Sequence, residues 1–187
     1  MSLIQYSTRF LLIIAALAIT SCSNVTLEEY AQNTPSLNVP HFFNGKLTAH
    51  GVVKNRSNKV IRYFNATIDA SWNNQGVGIL DEYFIFDDGE KQQRIWTLSP
   101  LGNNRYSASA NDVIGETVLA AKGNALFFKY TLMVPYNDGH INLNVDDRMY
   151  LTNESTLINE STLTKFGITV GKVTLTIIKH SSFELHK

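Results

Sequence analysis

From residue 41 onward, apolar and polar residues alternate along the chain with a period of two. In one stretch Ile141, Leu143 and Val145 occupy every second position, with Asn142 and Asn144 between them. Turn-forming Asn, Asp and Gly residues recur at short intervals, and no segment shows a persuasive helical period. This pattern predicts an all-β fold built from antiparallel sheet with one buried face and one solvated face.

The spacing of the turns leaves room for about nine or ten strands, and strands of that number favour a closed barrel. Closure removes the two unpaired edges that an open sheet would expose to solvent. We therefore expect an antiparallel up-and-down β-barrel. A β-sandwich is the alternative fold, because it produces the same alternation.

The chain begins with an apolar run over residues 10–19 that is preceded by Arg9. This run is too short to cross a bilayer, which takes roughly 20 apolar residues, and is typical of a secretion signal. It ends in Ser21-Cys22, which resembles the lipobox of bacterial lipoproteins, where a small residue precedes a cysteine. The resemblance implies cleavage before Cys22, diacylglycerol on its sulfur and acylation of its amine.

Three regions follow from these observations. Residues 1–21 are predicted to be the lipoprotein signal peptide, and residues 22–40 a lipidated N-terminus and tether with a short helical turn near residues 27–31. Residues 41–187 are predicted to form a single barrel domain, since their length suits one core. Ser23 replaces the Asp of the inner-membrane sorting pattern, so we expect anchoring in the outer membrane at its periplasmic face.

The composition argues against several function classes. Lys plus Arg and Asp plus Glu each total 16, so no nucleic-acid footprint is expected. The five histidines show no metal-ligand spacing, and neither a nucleophile motif nor a phosphate-binding loop is present. We therefore expect no enzyme activity, catalytic residue, metal or cofactor. The single cysteine excludes a disulfide within the chain.

Charged residues interrupt the apolar faces of several predicted strands. If these faces point inward, the barrel interior contains two cations and three carboxylates, which must pair, bind water or meet a polar ligand. The five residues are Arg62, Glu82, Arg94, Asp112 and Asp147.

One of these pairings follows from the turn at Asp87-Asp88-Gly89. A three-residue loop with Gly89 in the left-handed region places Glu82 directly opposite Arg94 on the neighbouring strand. A two-residue loop would place Arg94 opposite Tyr83, on the other face. We favour the three-residue loop, because it gives both charges a partner.

Seven motifs, in this order and spacing, resemble the uncharacterised bacterial lipoprotein family catalogued as domain of unknown function 3833. They are Phe42-Phe43-Asn44-Gly45, Leu80-x-Glu82-x-Phe84-x-x-Asp87-Asp88-Gly89, Arg94-x-Trp96, Asn111-Asp112-Val113-x-Gly115, Gly123-Asn124-Ala125-Leu126, Asp146-Asp147-x-Met149-Tyr150 and Lys165-Phe166-Gly167-x-x-Val170-Gly171. Arg148 departs from the family, which often has Trp there. The resemblance implies an envelope lipoprotein and no established activity. The barrel is also similar to lipocalins and fatty-acid-binding proteins in a general way, at the level of fold alone.

Two interpretations of the interior charges stay open. In the first, they form a satisfied network that fixes strand register, and a filled barrel docks another envelope component as a structural lipoprotein. In the second, the barrel binds or carries a small amphipathic or lipid-like molecule such as a fatty acid. Arg62 or Arg94 would then hold an anionic head group, with Phe84, Trp96 and Tyr130 around the tail. The full set of candidate interior residues is Arg62, Glu82, Phe84, Arg94, Trp96, Asp112, Tyr130 and Asp147.

Overall fold

A computed structural model describes residues 25–180, which form ten antiparallel strands closed into a barrel. Each strand pairs with the next in sequence, and the last pairs with the first. The strands are β1 Gly45–Asn55, β2 Val60–Trp72, β3 Gly78–Phe86, β4 Lys91–Gly102, β5 Arg105–Ala110, β6 Thr117–Lys122, β7 Ala125–Tyr136, β8 Gly139–Asn153, β9 Thr156–Lys165 and β10 Ile168–Lys179. The barrel prediction is confirmed, and the sandwich is excluded.

The alternation of the sequence explains which face of each strand is buried. In β2, Phe64, Ala66, Ile68 and Ala70 are all buried, and the residues between them are exposed. Successive side chains point to opposite faces of a strand, so this half-apolar pattern directs one face into the barrel and the other to solvent. Closure then buries every inward face against the others.

The two ends of the barrel differ. The end formed by the β2–β3, β4–β5, β6–β7 and β8–β9 turns, here called the closed end, is covered by residues 25–44. The opposite end, here called the open end, contains the other hairpin turns. The most fully buried barrel residues lie towards the closed end and include Leu47, Leu126 and Leu157.

Residues 25–44 form a cap that packs on the closed end. A 3₁₀ turn at Leu27–Tyr30 leads to a short helix α1, Val39–Phe42, and both Leu37 and Val39 are 1% exposed. Leu37 N donates to Gly123 O at 2.7 Å. The predicted turn near residues 27–31 is confirmed.

The expectation of a tether over residues 22–40 is corrected for residues 25–40, which pack on the barrel because the apolar side chains of Leu37 and Val39 complete its core. The signal peptide and Cys22 lie outside the described residues. Across residues 25–180, none of the helices has the length and apolar character needed to cross a membrane.

Candidate binding site in the open half of the barrel

The β3–β4 hairpin sets the register of the site. Phe86 N donates to Glu90 O at 2.9 Å, and Gly89 has a φ of +86°, which a residue with a side chain adopts only with strain. The loop therefore contains three residues, and Glu82 lies directly opposite Arg94. Both parts of the favoured prediction are confirmed.

The guanidinium of Arg94 is held by Asp112 and not by Glu82. Arg94 Nε donates to Asp112 Oδ1 at 2.9 Å, and Nη2 donates to Oδ2 at 2.7 Å. Asp112 follows β5 and is positioned by its own carbonyl, which accepts from Met133 N at 2.8 Å. Burial alone would lower the pKa of Arg94, but Tyr130 and the carboxyl groups of Asp112 and Glu82 raise it, so the guanidinium stays charged.

Asp147 lies on β8 at the centre of a second polar cluster and is only 4% exposed. Tyr130 OH donates to its Oδ2 at 3.2 Å, and the amide of Asn159 donates to its Oδ1. Ser161 Oγ donates in turn to Asn159 Oδ1 at 3.3 Å. Burial raises the pKa of Asp147 to about 6 against the opposing effect of these hydrogen bonds.

Glu82 lies on the inward face of β3 with its side chain unpaired. In the part of the chain that the structure describes, its carboxyl group makes no hydrogen bond. Its oxygens are not among the side-chain atoms that are fully shielded from solvent and lack a partner. Burial raises its pKa to about 7; Arg94 lowers the pKa, and the nearby Asp147 and Asp112 raise it further. Glu82 is thus a carboxyl group that changes charge near neutral pH, at a depth that solvent still reaches.

Aromatic rings surround these groups on both sides. Trp96 packs at right angles to Tyr130, with 5.4 Å between ring centroids, and is 6% exposed, so it belongs to the packed core below the polar groups. Phe84 lies on the other side, towards the open end, where its ring is partly exposed and 5.7 Å from Phe64. The prediction that Trp96 and Phe84 line the same space is therefore corrected, because they lie at different depths.

Arg62 does not join this cluster. It lies near the start of β2 at the rim of the open end, where Nη2 donates to Asp88 and Glu90 at distances of 2.8–3.0 Å. Its guanidinium also lies 3.8 Å from the centroid of the Phe86 ring. Among residues 25–180, the interior therefore contains one cation, Arg94, and three carboxyl groups.

Sequence reasoning missed two members of the site, Asn159 and Ser161. Both are buried polar residues on β9, at 3% and 7% exposure. A signal was available: Leu157, Asn159, Ser161 and Leu163 share one face of a strand, so polar residues interrupt an apolar face there too. Within residues 25–180, no group of three His, Cys, Asp or Glu residues could hold a metal ion.

The described residues also form concavities on the outer wall of the barrel. One, about 700 Å³, is lined by polar side chains of β7, β8 and β9, among them Lys129, Asp146 and Glu160. The second, about 470 Å³, lies between the start of the cap at Val25 and the β6–β7 wall, which includes Val118.

Residues 16–179 match the family model described as "Protein of unknown function (DUF3833)". The chain belongs to this family. The resemblance drawn from the seven motifs is thereby confirmed. Among curated proteins, none matches the chain.

Two solved structures are similar to this DUF3833 protein. An S-type phycobiliprotein lyase from Guillardia theta matches with a TM-score of 0.55 and 12% identity, over 85% of this chain and 99% of the lyase. A protein of unknown function from the DUF3598 family of Nostoc punctiforme matches with a TM-score of 0.55 and 13% identity, over 78% of this chain and 50% of the other. At these identities the similarity establishes the lipocalin-like barrel fold alone.

Proposed function

We propose that this protein is a cell-envelope lipoprotein, anchored in the outer membrane through acylated Cys22, whose barrel binds a small amphipathic molecule through its open end. The observation that carries the proposal is the contrast between the two halves of the interior. Inward residues near the closed end, such as Leu80 and Leu98, are buried, whereas Phe84, Phe86 and Glu82 in the open half are partly exposed.

The order of residues along β3 suggests how such a ligand would lie. Starting from the rim, its inward face presents Phe86, then Phe84, then Glu82. An amphipathic molecule entering from the open end would therefore place its polar group deep, beside Glu82 and Arg94, with its apolar part between the phenyl rings nearer the rim. Apolar walls with a few convergent polar groups are typical of sites that bind small molecules.

The charges beside that polar group decide which head groups fit. Two nitrogens of Arg94 already donate to Asp112, so the carboxylate or phosphate of a ligand must compete with Asp112 for the guanidinium. Glu82 and Asp147 favour a head group that donates hydrogen bonds or carries positive charge. A fatty acid is thus one candidate, and an alkyl alcohol or alkyl amine is an equally simple probe.

Native mass spectrometry of the protein purified from membranes in mild detergent tests the proposal directly. We expect a mass that includes the acyl groups on Cys22 and a fraction of molecules carrying an additional bound species. A fatty acid, an alcohol and an amine of equal chain length are then titrated into a Trp72→Phe variant, in which the emission of Trp96 ranks the three head groups. A mass without any bound species, together with no response to the panel, contradicts binding.

Matched variants on β3 separate the interior from the surface. Phe84→Ala removes an inward ring, whereas Tyr83→Ala removes its outward neighbour, which is 40% exposed. We expect Phe84→Ala to weaken binding of the best panel member by roughly tenfold, since a buried Phe contributes about 1.5–3 kcal/mol. Equal effects of the two substitutions would place the site outside the barrel.

A second candidate function is docking of another envelope component by the outer wall. The 700 Å³ concavity on β7–β9 supports it, because charged side chains of both signs converge there. Lys129→Glu would weaken such docking without affecting the panel ligands. If the barrel acts only through its interior, the same substitution should change neither ligand binding nor association with other envelope components.

A further inference from the structure

The rim of the open end exposes apolar side chains on four of its five hairpins, the exception being the acidic β3–β4 turn at Asp87-Asp88-Gly89. Phe166, at the tip of the β9–β10 turn, is 90% exposed, the highest value among the large apolar residues of the described chain. Tyr136, Ile114 and Ile61, near the β7–β8, β5–β6 and β1–β2 turns, are each at least half exposed. Apolar residues scattered singly need no partner, but several of them around one opening indicate a contact surface.

Phe166 is also strained. It occupies the first position of a two-residue turn with a φ of +50°, a conformation that Asn, Asp or Gly adopts readily and that a bulky residue adopts at a cost. Neither the stability of the fold nor the geometry of the turn favours Phe at position 166. Contact between its ring and a binding partner accounts for its presence, since strained residues are typical of functional sites.

One side of this rim is basic. Residues 46–68 and 161–180 contain no Asp or Glu, and barrel closure brings them together because β1 pairs with β10. Lys54 lies directly opposite Lys172, Arg56 and Lys59 belong to the β1–β2 turn, and Lys165 ends β9. Exposed aromatic residues flanked by basic ones match the chemistry of an anionic lipid surface.

The cap begins on the outer wall of the barrel, before the chain turns over the closed end. Val25 lines the 470 Å³ concavity on that wall together with Val118 and Phe127. Cys22 is three positions before Val25, a span of at most about 11 Å. An acyl chain on Cys22 would therefore start beside the outer wall of the barrel.

We infer that the open end docks on an anionic bilayer, with Phe166 inserted among the head groups and the basic side of the rim against lipid phosphates. The mouth of the barrel then faces the membrane, so an amphipathic ligand passes between bilayer and interior without crossing water. This inference rests on the acylation of Cys22 proposed above for its anchor, but the rim itself is independent of it.

The chain offers a clean labelling experiment, because its one cysteine is consumed by acylation. Ile168→Cys, at a residue that is 52% exposed, carries a fluorophore at the open end beside Phe166, and Leu101→Cys, at a residue that is 47% exposed, carries it near the closed end. Each full-length acylated protein is placed in phosphatidylglycerol-containing vesicles and quenched with aqueous iodide. We expect iodide to quench the label at 168 several-fold less than the label at 101, and the difference to shrink in pure phosphatidylcholine.

Equal quenching of the two labels, or stronger protection at 101, overturns the inference. The mass of each protein reports acylation separately, so a failed anchor and a failed docking surface are distinguishable. Phe166→Asn in the Ile168→Cys protein provides a second arm. Because Asn adopts positive φ readily, this variant should keep or raise the melting temperature and still lose protection from iodide; retained protection would also overturn the inference.

Discussion

Glu82 and Arg94 stand directly opposite each other on β3 and β4, yet no ion pair joins their side chains in the described structure. The guanidinium of Arg94 instead donates to Asp112, and the carboxyl group of Glu82 has no partner among the described residues. Arg94 is therefore paired with Glu82 through the strand register and with Asp112 through its side chain. The result is an interior whose single cation is already engaged and whose nearest carboxyl group is free to gain or lose a proton.

The first prediction concerns the pH dependence of stability. The pKa of Glu82 is about 7 in the folded chain and near 4.5 when unfolded. Between these values the folded chain binds the proton and the unfolded chain does not, so wild-type stability falls as pH rises from 4.5 to 7 and then levels off. The pKa of Asp147 is also raised, to about 6, so this group likewise makes stability fall as the pH rises. Glu82→Gln should gain on the order of 2 kcal/mol over wild type at pH 8 in urea unfolding.

Asp81→Asn is the matched control, because Asp81 is the outward neighbour of Glu82 on the same strand. It should shift stability little, and equally at pH 5 and pH 8. If Glu82→Gln also shows no pH-dependent gain, the carboxyl group is solvated in the folded protein and titrates as an ordinary glutamate.

The second prediction concerns Arg94, the cation of the interior. Arg94→Gln leaves Asp112 without its two charged hydrogen bonds and should lower the free energy of unfolding by about 2 kcal/mol. It should also raise the pKa values of Glu82 and Asp147, since the charge of Arg94 lowers both. Carbon-detected NMR titration of the carboxyl groups measures these shifts.

The outer wall contains a matched pair for comparison. Arg148 Nε and Nη2 donate to the two carboxylate oxygens of Asp146 at 3.0 and 3.2 Å. Arg148→Gln should cost less than about 1 kcal/mol, because this pair lies on the outer wall and Lys129 also neutralises Asp146, and should leave Glu82 unchanged. Equal losses in the two variants would mean that the Arg94 pair is no more shielded than a surface one.

Local patterns were sufficient to predict the barrel and the β3–β4 register. Alternation identifies a strand from its own residues, and the Asp87-Asp88-Gly89 turn sets the pairing of the two strands beside it. The same logic places Glu82, Arg94 and Asp147 on inward faces. Each of these predictions depends on residues that are close in sequence.

Contacts between distant segments could not be predicted in this way. Leu37 and Val39 are two apolar residues in a polar stretch without periodicity, and only the closed end of the barrel makes them core residues. The basic side of the rim is likewise invisible in the sequence, where its lysines are spread over two separate segments. It exists because β10 closes the barrel against β1.

The third prediction tests the cluster around Asp147. Asn159→Leu removes the amide that donates to Asp147 Oδ1, so the pKa of Asp147 should rise above its present value of about 6. The carboxyl group would then stay protonated to a higher pH than in the wild type, which NMR titration detects.

The sequence contains its own control, since Asn153-Glu-Ser-Thr-Leu repeats the five residues that begin at Asn159. Asn153 lies in the β8–β9 turn, where its side chain accepts from Ser155 N at 3.0 Å. Asn153→Ala should weaken the turn and leave the pKa of Asp147 unmoved. A shift of equal size in both variants would indicate a general loosening of the barrel.

The last prediction concerns the cap. A Cβ atom on Gly123 would lie 1.7 Å from Tyr30 O, and Gly123 has a φ of +52°, so Gly123→Ala must displace the cap from the β6–β7 turn. Gly89→Ala is the control: its φ is equally positive, but nothing lies within 4 Å of the added carbon. We expect proteolysis within residues 25–37 to accelerate in Gly123→Ala alone, while the pKa of Glu82 stays near 7, because the cap packs on the closed end and Glu82 lies towards the open one. Similar proteolysis of the two variants would show that the cap is held by its apolar residues and not by this close approach.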